Sequence, residues 1–241
     1  KILFFNKNMG YRNINLVEEE FYHVYNRGSN KQIIFLDDYD RERFVKMLYL
    51  CNSTKSVNYR ENIIRAKIDA LDFDRGEQIV SIGAWVLMPN HFHLYLKALP
   101  KQGFSKNLNQ LNSISEFMHK LLTSYSKYFN KKYKHSGVLF EGKFKAVHVN
   151  TDVQAKYLFS YIHLNPVKLI QKDWKINGIK DKNKTISFLN SYKWGSYQDY
   201  VGINRKEKII LDKEKFPDYF KDKNSFLDEI FDWLSFKESI F

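Results

Sequence analysis

Ile79-Val80-Ser81-Ile82-Gly83-Ala84-Trp85-Val86-Leu87-Met88-Pro89-Asn90-His91-Phe92-His93-Leu94-Tyr95-Leu96-Lys97 is the stretch that decides the fold. Two runs, Ile79 to Leu87 and His91 to Lys97, are rich in β-branched and aromatic residues, and Met88, Pro89 and Asn90 join them. The Pro-Asn pair is a turn signal, so the stretch reads as a β-hairpin. Side chains alternate along a strand. His91, His93 and Tyr95 therefore share one face, and Phe92, Leu94 and Leu96 share the other, which belongs to the core.

Working outward, Phe21 to Asn26 reads as a strand closed by Arg27, Gly28 and Ser29. Asp37 and Asp38 precede a helical stripe of Phe44, Met47, Leu48 and Cys51, with acidic residues where a helix dipole favours them. Asn52 to Gln78 is polar and mixed in charge, and reads as an insertion or long connection. Downstream, Ile114, Phe117, Met118, Leu121, Leu122, Tyr125 and Phe129 recur at helical spacing and predict an amphipathic helix over Ser113 to Asn130. Phe144 to Val149 alternates as a strand. Thr151 and Asp152 then cap a helix that must stop near Asn165, because Pro166 disfavours helical geometry in the residue before it. The order β, α, β, β, α, β, α predicts an α+β fold. Its first six elements match a ferredoxin-like antiparallel sheet with helices on one face, the other face being left for a site or for nucleic acid. This domain spans 17–168. Residues 169–241 read as a small C-terminal helical appendage, with an aromatic stretch from Tyr192 to Tyr200 and an amphipathic piece from Phe226 to Phe236. The charge runs from Lys180 to Lys184 and from Asp212 to Lys223 read as solvated faces.

The chain has 241 residues, 44% of them apolar, which is enough for a sizeable core and speaks against disorder. Its formal net charge of +12 favours a polyanionic partner, because each phosphate neutralised by Lys or Arg releases a counterion. Cys51 is the single cysteine, which excludes an intrachain disulfide and a cysteine-rich zinc site and fits a reducing, cytoplasmic setting. No apolar run approaches membrane-spanning length, and Lys1 to Tyr11 lacks the apolar core of a secretory signal.

Two imidazoles on alternate strand positions lie roughly 7 Å apart along the backbone and can converge on one divalent ion. A carboxylate or amide oxygen would complete the protein ligands. On the helix after Asp152, Tyr161 and Asn165 are four residues apart and share a face. Asn165 could supply that oxygen, which would hold Tyr161 beside the metal. A tyrosine is a competent nucleophile toward a phosphodiester once its proton is removed or its target polarised. Lys131, Lys132 and Lys134, then Lys143 and Lys145, place basic charge on both sides of Val138 to Phe140, which suits either a phosphate-tracking groove or a solvated loop. Arg27 beside Gly28 suits a phosphate contact or a turn-fixing bond to a carboxylate. His23 reads more readily as a satisfied core histidine than as a site residue, and His163 is rotated away from Tyr161 and Asn165.

From about Glu20 to Lys237 the chain resembles the REP-associated tyrosine transposases, bacterial members of the single-tyrosine HUH transposases. The resemblance rests on Tyr22-His23-Val24-Tyr25-Asn26-Arg27-Gly28, Phe35-Leu36-Asp37-Asp38, and Val86-Leu87-Met88-Pro89-Asn90-His91-Phe92-His93. It continues through Ser136-Gly137-Val138-Leu139-Phe140-Glu141-Gly142-Lys143-Phe144-Lys145, Tyr161-Ile162-His163-Leu164-Asn165-Pro166-Val167, and Trp194-Gly195-Ser196-Tyr197 with Tyr200. It implies His91 and His93 as the HUH pair, Tyr161 as the nucleophile and Asn165 as third ligand, at a position where related insertion-sequence transposases more often carry Gln. It further implies magnesium or manganese as cofactor, single-stranded or hairpin DNA as partner, and cleavage through a 5′-phosphotyrosine; the sequence is compatible with a monomer or a homodimer. Zinc is also compatible with two histidines. Two other readings stay open: a non-catalytic single-strand-binding module of the same fold, and a domesticated hairpin nuclease that does not transpose.

Overall fold

The computed structural model describes residues 14–100, 112–218 and 223–235. The reading of Lys1 to Tyr11 and the end of the piece from Phe226 to Phe236 lie outside them. Four strands, β1 (Phe21–Arg27), β2 (Val80–Met88), β3 (His91–Ala98) and β4 (Lys145–Val149), form one sheet in the order β2-β3-β1-β4. Every neighbouring pair is antiparallel. With α1 (Asp38–Leu50) after β1 and α2 (Ser113–Tyr133) after β3, this is the expected ferredoxin-like α+β arrangement.

Helices α1 and α2 cover one face. Asp37 caps α1 in a reciprocal capping box with Asp40, and Asn112 caps α2 by accepting from the amides of Ile114 and Ser115. The stripe Ile114, Phe117, Met118, Leu121, Tyr125 and Phe129 is buried with Tyr22, Val24, Phe92, Leu94 and Leu96 of the sheet. Asp40, with no solvent exposure, binds the two helices together: its carboxylate accepts from Tyr128 Oη at 2.9 Å, Tyr133 Oη at 2.8 Å and Lys132 Nζ at 2.8 Å. Within the connection 52–78 there is one π-helical turn, Arg60–Arg65, and Asn52 fastens the start of β2 by accepting from the amides of Ile79 and Val80.

The second face is open over one end only, which narrows the free face expected from the sequence. A bulge at Gly83 shifts the register of β2 between Ile82 and Ala84. Before it, Val80 and Ile82 face the α1/α2 core, whereas after it Ala84, Val86 and Met88 face the other way. An apolar surface on that side must itself be covered. The cover is α3 (Asp152–Leu164), followed by α4 (Trp174–Asn177), α5 (Lys182–Ser191), α6 (Tyr197–Tyr200) and α7 (Lys223–Ser235). Leu158, Ile162, Trp174, Leu189 and Phe226 join Ala84, Val86 and Tyr95 in a second core.

The C-terminal segment also closes the outer edge of β2. The Ser196 amide donates to Trp85 O at 2.9 Å, the Leu87 amide to Trp194 O at 2.8 Å, and the Asp212 amide to Ile82 O at 3.0 Å. Tyr192 Oη reaches Leu87 O at 2.6 Å and Tyr200 Oη reaches Gly83 O at 2.7 Å. An edge strand otherwise exposes a row of backbone groups to stray pairing. Gly83 is required at the bulge, since a Cβ there would meet the Phe216 ring at 2.7 Å.

His163 fastens this cover to α3. It is buried, with Nδ1 2.8 Å from Phe159 O and Nε2 2.8 Å from Ser196 Oγ, and burial draws its pKa down to about 3. The unfolded chain takes up a proton at this residue near the ordinary histidine value, so its contribution is complete above about pH 6.5 and is lost as pH falls toward 3. The slope is up to about 1.4 kcal/mol per pH unit. Urea unfolding at pH 7.5 and pH 5 should therefore show the unaltered chain losing more stability on acidification than His163→Leu. Equal losses would show that this histidine is not held neutral.

Candidate active site

At the uncovered end of the second face, β3 presents His91 and His93, β1 presents His23 and Tyr25, and α3 lays Tyr161 across them. In register, His93 lies opposite Tyr25 and His91 opposite Arg27. The rings of His91 and His93 are 5.1 Å apart and nearly perpendicular. Tyr161 stands edge-on to His93 at 5.2 Å between ring centroids.

Each of the two histidines has its Nδ1 engaged by a neighbouring side chain. His91 Nδ1 lies 2.6 Å from Asn90 Oδ1, and His93 Nδ1 lies 2.8 Å from His23 Nε2. His93 Nε2 is buried without a hydrogen-bond partner. If that nitrogen carries the lone pair, the Nδ1 proton is donated to His23, which then fixes the tautomer and the ring orientation as outer partners of metal-binding histidines do. Burial lowers the pKa of His91 to about 4, with Lys168 adding to the effect, and burial then His23 and His91 push His93 well below the ordinary value. Both imidazoles are neutral at physiological pH, the form that ligates metals.

Asn165 follows α3 as its C-cap and opens the 3₁₀ turn Asn165–Leu169, with Pro166 ending the α-helix where the sequence places its end. It has no solvent exposure, and neither its Oδ1 nor its Nδ2 forms a well-made hydrogen bond. Polar interaction with this amide nevertheless raises the proton affinity of His91 and lowers the pKa of Tyr161. Burial dominates at Tyr161 and holds its phenol above the ordinary value. Two imidazoles and one amide oxygen thus converge beside a protonated phenol. Among the described residues no group of three His, Cys, Asp or Glu side chains is placed to hold a metal.

Five side chains of this site, Tyr25 among them, were missed or set aside in the sequence. His23 is buried as expected of a core histidine, yet its partner is His93. Tyr157 stacks on Tyr161 at 6.2 Å, and its position one turn earlier on α3 is the only sequence signal for it. Lys168 Nζ and Lys175 Nζ lie 5.7 Å and 4.2 Å from the Tyr161 ring centroid.

The basic candidates separate. Arg27 forms a two-pronged ion pair with Glu141, with Nη2 2.9 Å from Oε1, which is the turn-fixing alternative of the sequence reading. Lys145 lies opposite Tyr25 in the sheet, at the mouth of the site, and Lys143 is exposed nearby in the chain. Lys131 and Lys134 are exposed at the end of α2, the helix that packs on the opposite face. Lys132 is already engaged: its ammonium is 2.8 Å from carboxylate oxygens of both Asp37 and Asp40, where it completes the α1 cap. Lys132→Met should consequently cost about 1–3 kcal/mol in chemical denaturation by leaving a buried carboxylate short of a donor. An unchanged unfolding midpoint would return Lys132 to the pool of surface cations.

The sequence profile of the family described as "Transposase IS200 like" matches residues 22–165, which include β2, β3, β4, all of β1 but Phe21, and His23, His91, His93, Tyr161 and Asn165. No curated protein matches the chain. A REP-associated tyrosine transposase solved bound to a REP hairpin is 12% identical, with 83% of this chain and 90% of that one covered at a TM-score of 0.44. A protein of Deinococcus radiodurans R1 solved as a candidate transposase is 16% identical, with 64% and 92% covered at a TM-score of 0.33.

Proposed function

Because the chain belongs to the IS200-like transposase family, we propose that it cuts and rejoins single-stranded DNA beside hairpins, with Tyr161 as the covalent nucleophile and a divalent cation as cofactor. The observation that carries this reading is the meeting of Tyr161 with His93, at 5.2 Å between rings, next to the buried amide of Asn165. His93 Nε2 and Asn165 Oδ1 are buried acceptors without a well-made hydrogen bond at the same end of the sheet, which supports a ligand there.

Both of these atoms, His93 Nε2 and Asn165 Oδ1, carry lone pairs that a cation would take up. His93 through Nε2, His91 through its corresponding nitrogen and Asn165 through Oδ1 would hold Mg2+ or Mn2+, with water filling the remaining positions. Such an ion supplies Lewis-acid polarisation of a non-bridging phosphate oxygen. The protein's own part begins with Tyr161. Its Oη forms a bond to phosphorus while the bond from phosphorus to the 3′ oxygen breaks, giving a 5′-phosphotyrosine and a free 3′-hydroxyl. The phenolic proton ends, directly or through water, on the departing 3′ oxygen. Burial holds that proton on Tyr161 until substrate arrives, and the Asn165 amide opposes burial by lowering the phenol pKa. One phosphodiester is exchanged for another, so a second 3′-hydroxyl can reverse the step on a new end, which is strand transfer. A net charge of +12 supports a nucleic-acid substrate, and Lys145 with Tyr25 provides a cation and an aromatic ring at the mouth.

With 3′-labelled single-stranded hairpin DNA and magnesium, the unaltered chain should become covalently labelled. Tyr161→Phe should abolish the adduct, and His91→Ala combined with His93→Ala, or excess chelator, should reduce it by at least about 100-fold. Labelling that persists in Tyr161→Phe would refute the nucleophile assignment, and labelling indifferent to chelator would refute the metal.

A further inference from the structure

We propose that Lys168 is a phosphate-binding catalytic residue that holds the scissile phosphodiester against Tyr161, an inference that rests on the tyrosine-transfer reading above. Its position follows from the local fold. Pro166 turns the end of α3 into a 3₁₀ turn, in which side chains three residues apart eclipse one another. Asn165 and Lys168 are so spaced, and Asn165 continues the stripe of Tyr161. The three side chains therefore project from one side of the helix end, toward β3.

The surroundings of Lys168 indicate an anion. The side chain is half-buried and makes no hydrogen bond or ion pair among the described residues, and its ammonium lies 5.7 Å from the Tyr161 ring centroid. Its positive charge acts on both His91 and His93, disfavouring their protonation. Three cations at the joints of the fold are matched to carboxylates, Arg27 with Glu141, Lys132 with Asp37 and Asp40, and Arg205 with Asp199, and the partly buried Arg43 and the buried Arg75 rest on tyrosine rings, Arg43 3.1 Å from the Tyr59 centroid and Arg75 4.1 Å from that of Tyr49. A partly desolvated ammonium without an anionic partner is costly. Here it stands beside the proposed nucleophile and both histidines, where a phosphodiester under attack would bring one negative charge and gather more on its non-bridging oxygens. A lysine ammonium meets that charge as a point donor, without the planar fork of arginine.

The test pairs the lysine with the charge on the phosphate. The cleaved linkage is mapped from the adduct of the unaltered chain, and the same oligonucleotide is then made with an uncharged methylphosphonate at that linkage. In a Tyr161→Phe background, Lys168→Met should weaken binding of the native oligonucleotide about tenfold and leave binding of the methylphosphonate unchanged. With Tyr161 intact, Lys168→Met should slow single-turnover adduct formation about 100-fold, and Lys168→Arg should recover part of the rate. Because the two oligonucleotides are compared on one protein, a folding defect would weaken both and cannot imitate the result. Equal weakening of both, or no loss of rate, would overturn the role of Lys168 while leaving Tyr161 in place. Failure of the unaltered chain to form any adduct would overturn the underlying reading and this one with it.

Discussion

Leu158 and Ile162 of α3 are buried in one apolar cluster with Ala84, Val86 and Tyr95 of the sheet, and the approach of Tyr161 to the histidines depends on that packing. It brings Tyr161 to within 5.2 Å of His93 between ring centroids and carries Asn165 and Lys168 to the same end of the sheet. The packing is possible because β2 turns its apolar side chains over at Gly83, so that the strand feeds two cores. His163, bonded to Ser196, then ties the helix to the segment that closes the edge of β2. Catalytic geometry needs such rigid support, since small displacements of a nucleophile are expensive in rate.

Charge in this molecule is divided between structure and function. The excess of cations is large, yet several of those nearest the fold's joints are spoken for. Lys132 completes the cap of α1, and Arg27 pins the loop carrying Glu141 to the end of β1. Lys145 at the mouth and Lys168 inside it make no ion pair among the described residues, and lie where a strand of nucleic acid would run into the site. Net charge alone speaks of affinity for polyanions. The distribution of carboxylates decides which lysines can express it.

What could be read in the sequence was what depends on local periodicity. Alternation in His91 to Leu96 placed both histidines on one face, and helical spacing from Ile114 to Phe129 gave the α2 stripe, because side-chain direction in a strand or helix is set by its immediate neighbours. Pro166 likewise marked the end of α3. Long-range partners left no comparable trace. Nothing near His23 announced that its ring would meet His93, and Lys132 looked like one more basic residue until Asp37 and Asp40 were brought beside it. The cover on the second face had one signal, the apolar run Ile82 to Leu87 with no polar side chain in it, which befits a strand buried on both sides. Lys168 and Lys175 lie past the proline, where the direction of a side chain depends on the turn that follows.

The central claim is that Tyr161 is the residue that becomes joined to DNA, and three phenols stand close enough to compete, since Tyr157 stacks on Tyr161 and Tyr25 faces His93. Trypsin digestion of the covalent adduct followed by fragmentation mass spectrometry of the nucleotide-bearing peptide distinguishes them directly. The account predicts a 5′-phosphonucleotide on Tyr161 alone. A nucleotide on Tyr157 or Tyr25, with Tyr161 unmodified, would contradict it.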